Sequence, residues 1–417
     1  MFNISILTIG DEILIGQTLN TNSSWLSAEL SKIGANILTQ STISDNKVQI
    51  INEINRLFEI SDMIVVTGGL GPTHDDITKI TLCEYFDDHL VLNEVILKHL
   101  ESFYIQRGRT LLESIALQAQ LPSKCEIMFN SVGTAQGMLF EKEGKFLISM
   151  PGVPSEMKAI TKESLLLFVK SKMVELKSKV KVHKTLFTIG VGESILALKI
   201  GDQNKFLDNN SSLAYLPSYR GVKLRISVVA SSFEKGNKII SKIENVIMQK
   251  VGEYVVSNEL ENIMELISLK LIEKSRTISV AESCTGGLLG GALTELAGSS
   301  AYFNGGDQVY SNNDKINRLG IKTETLIDFG AVSKETAIEM SENVRVLHNS
   351  YYGLSITGIA GPDGGSIEKP VGTVWIGIAT PNSSKAICYN FGKNRTVNRE
   401  LSVGYALSMI LNDLNSM

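Results

Sequence analysis

The sequence predicts a multidomain α/β protein. Two observations support this prediction. Short β-branched runs that end in glycine alternate with segments of helical periodicity, and a chain of 417 residues is long enough for several domains of about 150 residues each. The alternation occurs near both ends of the chain, with a less regular stretch between them. We therefore expect an α/β domain over residues 1–168, a small α+β connecting domain over 169–257 and a second α/β domain over 258–417.

The first domain begins with a strand, a glycine turn and a helix, and this unit then recurs. Apolar residues after the first turn lie on one helical stripe, among them Trp25, Leu26 and Leu30. The predicted elements are the strand ISILTI from Ile4, a helix from Asn20 to Ile33, the strand MIVVTGG from Met63, a helix from Asp75 to Phe86, and the late strand KFLISMPG from Lys145. This order is typical of a parallel sheet covered by helices.

The connecting domain follows a lysine-rich segment. Eight lysines interleave with leucine and valine between residues 158 and 184, which indicates a solvated amphipathic helix that leads into a strand. The lysines lack a series of interleaved aromatic residues for stacking on bases, so an RNA-binding face is not favoured. Alternating runs such as VKLRISVVAS predict strands and helices over residues 184–256.

The last domain repeats the order of strand, glycine turn and helix. It opens with a helix whose apolar residues follow the spacing i, i+3, i+4, i+7 and i+11. The predicted elements are that helix from residue 260 to residue 271, a strand over 277–283, a helix from Leu288 to Leu296, and strands that begin at Tyr352 and Val371.

Composition and charge narrow the classes of function. The chain has 40 Lys and Arg against 44 Asp and Glu, a net charge of −4, which argues against a dedicated nucleic-acid binder. Its 4 cysteines include no CxxC pair, so neither a disulfide scaffold nor a cysteine zinc site is predicted. No uncharged apolar run approaches the ~20 residues of a membrane helix. We expect a cytoplasmic protein that does not act at a membrane.

The segment AESCTGGLLGG, residues 281–291, carries the strongest chemical signal. A strand delivers Ser283 and Cys284 to a turn that contains Gly286 and Gly287, and a helix begins at once. Unpaired N–H groups at such a helix start, here near Thr285 to Gly287, would hold an oxyanion beside a nucleophile. The alternative is structural: Ser and Thr are common helix caps, and the glycines permit the turn.

Two further segments add a candidate base and a glycine-dense loop. Tyr310 ends an apolar run, and Lys315 lies in the first turn of a predicted helix, where the helix dipole and burial would lower its pKa. A neutral lysine amine is a competent general base. In SITGIAGPDGG, from Ser355, a strand enters a loop whose backbone would approach a phosphate closely. A surface lysine, a core tyrosine and an ordinary Gly/Pro hairpin are the structural alternatives.

Together these three segments resemble the C-terminal domain of the CinA family (competence/damage-inducible protein A), which is similar to the nicotinamide-nucleotide amidases. The resemblance covers residues 258–417 and implies deamidation of nicotinamide mononucleotide without a metal. It implies catalytic roles for Ser283, Tyr310 and Lys315. Its substrate-binding positions are Thr285, Gly286, Gly287, Thr357, Gly358 and Gly361. Cys284 is the rival nucleophile, and a serine–histidine site that uses His348 is a weaker alternative.

The N-terminal domain carries a second glycine-dense turn, VVTGGLGPTHDDIT at residues 65–78. Its backbone would cradle a diphosphate, and nearby carboxylates would hold a divalent cation that bridges the phosphate oxygens. The candidate phosphate-binding residues are Gly68, Gly69, Gly71 and Thr73, and the candidate metal ligands are Asp11, Asp75 and Asp76. The structural alternative is that Asp75 or Asp76 only caps the following helix.

This domain resembles the MoaB/MogA-like molybdopterin-binding type of CinA proteins, a three-layer α/β fold. The shared segments include GDEIL, GGLGPTHDD and MPGVPSEM. The resemblance implies an ADP-ribose pyrophosphatase that uses a divalent metal (Mg, Mn or Co) and potassium. Three residues depart from the family pattern: Gln136 stands where Pro is usual, and Ala116 and Leu117 replace polar residues. These departures put the pyrophosphatase activity in question.

Several alternatives stay open. In the first, the N-terminal domain is a molybdopterin- or nucleotide-binding module that is inactive or acts in molybdenum-cofactor chemistry. In the second, the whole chain is a non-catalytic nucleotide sensor linked to competence. In the third, only one of the two outer domains is active. The family resemblance also implies a homodimer, and the expected partners are small nucleotides.

Overall fold

The computed structural model describes residues 1–71, 76–108, 116–260 and 262–416, which divide into two compact units. The first unit comprises Met1–His183, Asn209–Ser211 and Ser227–Ser241, and the second comprises Lys184–Asp208, Ser212–Ile226 and Lys242–Met417. The predicted connecting domain is therefore shared between the two units. The boundaries of the connecting domain, residues 169–257, remain a prediction.

The N-terminal domain is built on a mixed six-stranded sheet. Its strands and those of a separate small ladder are β1 (Asn3–Ile9), β2 (Asn36–Ile43), β3 (Met63–Thr67), β4 (Leu90–Leu92), β5 (Gln120–Pro122), β6 (Glu126–Met128), β7 (Gly137–Lys142) and β8 (Lys145–Met150). The order β2-β1-β3-β8-β7-β6 is parallel over the first four strands and antiparallel over the last two. The two residues between β7 and β8, Glu143 and Gly144, both have positive φ, and so tight a turn requires an antiparallel hairpin.

Helices cover both faces of this sheet, which confirms the predicted three-layer α/β fold. The helices are α1 (Asp11–Leu14), α2 (Thr21–Lys32), α3 (Lys47–Ile60), α4 (Thr78–Tyr85), α5 (Glu94–Ile105), α6 (Pro154–Ile160) and α7 (Leu166–Glu175), with a π-helical turn over Thr161–Leu165 and a 3-10 turn over Leu117–Ala119. Alternate side chains of β1 point to opposite faces. Ile4 and Ile6 pack with α2, α6 and α7, whereas Leu7 and Ile9 pack with α3, α4 and α5.

Asparagine side chains begin three of these helices. The Oδ1 atoms of Asn20, Asn46 and Asn93 accept N–H groups from the first turns of α2, α3 and α5. The predicted helix from Asn20 therefore begins one residue later, at Thr21. The helix predicted from Asp75 begins at Thr78 in the described residues. Asp75 itself lies outside them.

The connecting region forms a four-stranded sheet in the order β10-β11-β9-β12. Its elements are β9 (Val180–Thr188), α8 (Glu193–Ile200), a 3-10 turn (Gln203–Lys205), β10 (Ser211–Ser218), β11 (Gly221–Ala230), α9 (Phe233–Val251), a 3-10 turn (Gly252–Tyr254) and β12 (Val255–Ser257). The lysine-rich segment forms helix and then enters β9, in agreement with the sequence prediction.

The C-terminal domain is a second α/β domain with a mixed sheet in the order β14-β13-β15-β16-β17. Its elements are α10 (Ile263–Glu273), β13 (Ile278–Glu282), α11 (Leu288–Leu293), a 3-10 turn (Ser299–Ala301), β14 (Phe303–Gln308), α12 (Asn312–Leu319), α13 (Thr323–Asp328), α14 (Lys334–Leu347), β15 (Tyr352–Gly358), β16 (Thr373–Ala379), β17 (Ser384–Asn390) and α15 (Arg395–Ser416). Strand β13 lies between β14 and β15, parallel to both, whereas β16 and β17 are antiparallel. The helix predicted to reach Leu296 ends at Leu293, and Thr294 caps it by bonding back to the carbonyls of Gly290 and Gly291.

The core of this domain also lies on both faces of its sheet. Val280 and Ile356 pack with α10, α11 and α15 on one face, and Ala281 packs with α12 and α14 on the other. Because β13 and β15 are parallel, their carboxyl ends lie at the same edge of the sheet. Ligands commonly bind at this edge in sheets of this type. None of the helices in the described residues combines the length and apolar character needed to cross a membrane.

Candidate active site

A serine and a buried lysine meet at the carboxyl end of β13. Ser283 follows the last residue of β13, and its N–H donates to the carbonyl of Ile356 on β15 at 3.0 Å. Lys315 lies on α12, which begins where the Ser311 side chain accepts the N–H of Asp314 at 3.0 Å. The Lys315 Nζ atom lies 3.1 Å from the Ser283 Oγ atom. The structure thus brings together the two residues predicted to be nucleophile and base.

The surroundings of Lys315 favour its neutral form. Only 1% of the side chain is exposed, and burial lowers the pKa of its amine. Nζ donates to the carbonyl oxygens of Val309 at 2.8 Å and Tyr310 at 3.4 Å. Nζ also donates to Ser283 Oγ, and once the amine loses a proton its lone pair would be available to the hydroxyl of Ser283. This arrangement suits a general base.

Cys284, the rival nucleophile, is less suited to attack. Its side chain is buried, and burial raises the pKa of the thiol to about 11. The thiolate is the reactive form of cysteine, so a raised pKa keeps this side chain inert near neutral pH. The geometry therefore favours Ser283.

The turn after Ser283 is held by a carboxylate that the sequence analysis did not single out. Glu282 is buried, and its carboxylate accepts the N–H groups of Gly287 at 3.0 Å, Leu289 at 3.1 Å and Gly290 at 2.8 Å. These are the donors at the start of α11, so Glu282 acts as the helix cap from the preceding strand. The amides of Gly287, Leu289 and Gly290 are therefore already bonded within the protein.

Thr285, Gly286 and Gly287 follow the serine in the turn and do not line the cavity beside the serine–lysine pair. The N–H of Gly286 donates to the Ser283 carbonyl at 3.1 Å, and the carbonyl of Thr285 accepts from Arg399 at 2.7 Å. Two of the three amides predicted to hold an oxyanion thus have partners inside the turn. Direct substrate contact by these three residues remains a prediction.

A cavity of about 270 Å³ opens in front of the serine–lysine pair. The predicted residues Tyr310, Thr357, Gly358 and Gly361 all line it. The Tyr310 side chain is 61% exposed, whereas the Thr357 hydroxyl donates to the carbonyl of Ala331 at 2.7 Å. Tyr310 therefore exposes its ring and hydroxyl to a ligand in the cavity. The hydrogen bond of Thr357 holds this part of the cavity wall in place.

Sequence reasoning missed Arg395, the first residue of α15. Its guanidinium lines the same cavity and donates to the carbonyl of Gly361 at 3.0 Å and the hydroxyl of Tyr310 at 3.3 Å. No local pattern marks this arginine, because 80 residues separate it from Lys315 in the sequence. His348, the alternative base, instead bonds Asp307 at 2.8 Å and does not line the cavity.

A second cavity, of about 360 Å³, lies in the N-terminal domain at the ends of β1 and β3. Gly68, Gly69 and Gly71 line it, as predicted from the glycine-dense turn. Gly68 has φ of 112°, and a Cβ atom there would lie 2.0 Å from the carbonyl oxygen of Ile9. Only glycine fits this close approach of two strand ends. Thr73 and Asp75 lie outside the described residues.

Carboxylates converge on this second cavity. Glu12, Asp45 and Asp76 line it, and Asp11 lies beside them with its N–H donated to Asp45 Oδ2 at 3.3 Å. Burial raises the pKa of Asp45, and the charges of Asp11, Glu12 and Asp76 raise it further. A divalent cation would relieve this repulsion, and carboxylate oxygens suit such a cation. Among the described residues, however, no group of three His, Cys, Asp or Glu side chains forms a metal cage.

The departures from the family pattern occupy structural positions. Gln136 is buried, and its Oε1 accepts the N–H of Asn130 at 2.8 Å, so it ties together a loop near the cavity. Leu117 is 53% exposed at the start of a 3-10 turn, directly after Ala116. None of these three residues is among those that line the described cavity.

These features define a multidomain α/β protein in which one cavity brings the hydroxyl of Ser283 within 3.1 Å of the buried Lys315 amine. Three family models match it: the "Probable molybdopterin binding domain" over residues 5–171, the "Damage-inducible protein CinA KH domain" over 183–257 and the "CinA C-terminal domain" over 260–414. The chain belongs to the CinA family, as the sequence predicted.

Full-length relatives agree with this membership. The CinA-like protein of Cytophaga hutchinsonii is 39% identical, with 99% of this chain and 98% of the relative covered. The CinA-like protein of Salinibacter ruber is 38% identical, with 96% and 97% covered. A crystal structure of a competence/damage-inducible protein from Agrobacterium tumefaciens is 40% identical and covers 38% of this chain and 99% of its own, with a TM-score of 0.35.

Proposed function

We propose that the C-terminal domain hydrolyses the amide of nicotinamide mononucleotide to give the nicotinate nucleotide and ammonia. The observation that carries this proposal is the 3.1 Å approach of the Lys315 Nζ atom to the Ser283 Oγ atom inside a cavity of nucleotide-fragment size. A serine paired with a lysine whose pKa is lowered is a recurring arrangement for attack on an amide carbonyl.

The reaction proceeds in two steps. Lys315 takes the proton of the Ser283 hydroxyl, and Oγ attacks the amide carbon of the substrate. Lys315 then passes that proton to the amide nitrogen, the C–N bond breaks, and ammonia leaves an ester on Ser283. Water attacks this ester with Lys315 again as the base, which releases the carboxylate product and restores the serine. The balance is amide plus water to carboxylic acid plus ammonia, and no metal or redox partner is required.

Arg395 and Tyr310 bind the rest of the substrate. The guanidinium of Arg395 is the cationic donor of the lining, and its planar fork suits a phosphate. The exposed hydroxyl of Tyr310 accepts a hydrogen bond from Arg395 at 3.3 Å and lines the same cavity. The family resemblance assigns Tyr310 to the catalytic set.

Ammonia release from nicotinamide mononucleotide by the purified chain tests this proposal. We expect turnover that persists in EDTA, because the serine–lysine pair needs no cation. Arg395→Lys is the sharper variant: it keeps the positive charge and loses the bidentate fork, so KM should rise about tenfold with a smaller change in kcat. Absence of ammonia release from the wild-type chain would refute the proposal.

We propose a second activity for the N-terminal domain, the metal-dependent cleavage of ADP-ribose to AMP and ribose 5-phosphate. The supporting observation is the glycine-lined cavity whose rim gathers Glu12, Asp45 and Asp76. Gly68 and Gly69 line this cavity, so their backbone would lie beside a bound diphosphate, and the carboxylates would supply oxygen ligands.

The carboxylates of this cavity would suit a cation whose other ligands are the phosphates of the substrate. Mg²⁺ commonly binds through one or two carboxylates and the phosphates of the substrate, without a complete protein cage. Asp45 and Asp76 would hold such an ion, with Asp11 and Glu12 beside them. When bound, the cation would neutralise the diphosphate charge. The residues of this chain would orient the diphosphate against the glycine-lined wall.

Parallel assays separate this activity from its alternatives. AMP formation from ADP-ribose should require added Mg²⁺, Mn²⁺ or Co²⁺, whereas ammonia release from nicotinamide mononucleotide should not. If molybdopterin binds to the chain with its N-terminal cavity intact and ADP-ribose is not cleaved under any metal, the domain is a pterin-binding module.

A further inference from the structure

The cavity in front of Ser283 contains one carboxylate to which neither the proposed mechanism nor the family resemblance assigns a role. Asp363 lies in the loop after β15, is exposed, and lines the cavity together with Tyr310 and Arg395. In the described part of the chain it has no ion-pair partner, although Arg395 lines the same cavity. Its charge is thus available to a ligand.

The loop fixes Asp363 at this position. A Cβ atom at Gly361 or at Gly365 would lie 2.6 Å from an atom of Val371, so both flanks of Asp363 pack tightly on that residue. Farther along, the N–H of Ser366 donates to the carbonyl of Lys369 at 2.9 Å, and the Lys369 amine donates to the carbonyl of Phe329 at 2.8 Å. The loop that presents Asp363 is therefore anchored on both sides.

The charges of the lining match those of the proposed substrate. Nicotinamide mononucleotide is a zwitterion, with a cationic pyridinium ring that bears the amide and an anionic phosphate beyond the ribose. Apart from Lys315, the described lining has one basic residue, Arg395, and one acidic residue, Asp363. If the arginine binds the phosphate, the aspartate remains for the ring. The exposed ring of Tyr310 adds a π face, which also favours a cation.

From this pairing we infer that Asp363 is a specificity residue that selects a cationic pyridinium over an uncharged ring. The inference rests on the proposed amidase function, since it concerns the substrate of that site. It extends that function by predicting that the cavity binds the oxidised nucleotide more tightly than its reduced form. Reduced nicotinamide mononucleotide has the same amide, ribose and phosphate, but its dihydropyridine ring carries no charge.

Calorimetric binding of the two forms tests the inference without any need for turnover. The Ser283→Ala chain serves as the host, because it retains the cavity and cannot form the ester. Adding Asp363→Asn should weaken the binding of nicotinamide mononucleotide about fivefold and leave the binding of the reduced form within about twofold. The matched control is Glu368→Gln, which removes an equal charge from an exposed position of the same loop outside the cavity lining.

The outcomes are distinguishable. Equal weakening of both ligands would assign Asp363 a merely structural role, and unchanged binding of the cationic form would remove it from recognition; either result overturns the inference. The amidase proposal is judged separately, by ammonia release from the wild-type chain. A host that binds neither nucleotide would overturn the inference and the proposed substrate together.

Discussion

The two cavities both lie at the carboxyl ends of parallel strands, yet their charges are arranged in opposite ways. The C-terminal cavity buries Lys315, and this burial lowers the pKa of the amine that lies beside Ser283. The N-terminal cavity gathers carboxylates, and burial together with their mutual repulsion raises the pKa of Asp45. In the C-terminal cavity, the protein itself supplies both the hydroxyl and the amine of the proposed reaction. The N-terminal cavity has an excess of negative charge that a cation would balance. The proposed functions thus assign a site that works without a metal to the carboxyl edge of one sheet and a metal-assisted site to the same edge of the other.

The largest expected effect that separates the two sites is the loss of the serine hydroxyl. Ser283→Ala should reduce ammonia release by a factor on the order of 10⁴ or more, since no nucleophile remains. AMP formation from ADP-ribose should be unchanged, because that cavity is formed by other residues. Measuring both products from one preparation checks the prediction. Equal loss of both activities would break the comparison.

Removal of the lysine amine should have the next largest effect. Lys315→Met keeps the length of the buried side chain and should lower kcat for deamidation by about 10²-fold or more. In the wild-type chain, kcat/KM should fall as the pH drops through the lowered pKa of Lys315, because the protonated amine cannot accept the serine proton. A pH profile of both chains checks this. An acidic limb that survives in Lys315→Met would assign the titration to another group.

A single carboxylate of the N-terminal cavity should matter less, because several share the cation. Asp76→Asn should lower ADP-ribose cleavage about tenfold at limiting Mg²⁺ and recover in part at high Mg²⁺. Ammonia release should stay at the wild-type rate. Glu101→Gln, at an exposed position of α5, is the matched control. A loss that excess metal does not relieve would argue against a role in holding the cation.

The smallest effect is expected for the rival nucleophile. Cys284→Ala should leave the rate of deamidation within about threefold, because the thiol is buried and its raised pKa keeps it protonated. The lost packing should lower the free energy of unfolding by about 1 kcal/mol. Denaturant unfolding and an ammonia assay on the same sample measure both. A rate loss comparable to that of Ser283→Ala would reverse the assignment of the nucleophile.

The sequence predicted the local features of these sites better than the distant ones. Ser283 and Gly68 could be found because each directly follows a strand and adjoins a glycine turn, and Lys315 because it lies near the start of a helix with a recognisable cap. Arg395 and Asp45 could not, since only the folded chain brings them to their cavities. Glu282 adjoins Ser283 in the sequence, but that it would take the amides of α11 depends on the rotamer its buried side chain adopts. The antiparallel ends of the sheets were likewise missed, because strand direction depends on pairing.

The burial of Cys284 has a practical consequence for solution studies. All four cysteines are free thiols, and only Cys388, on β17, is exposed. A maleimide dye added to the native chain should therefore attach first at Cys388, which does not line the cavity in front of Ser283. A fluorophore there would report on the C-terminal domain while the chemistry continues undisturbed.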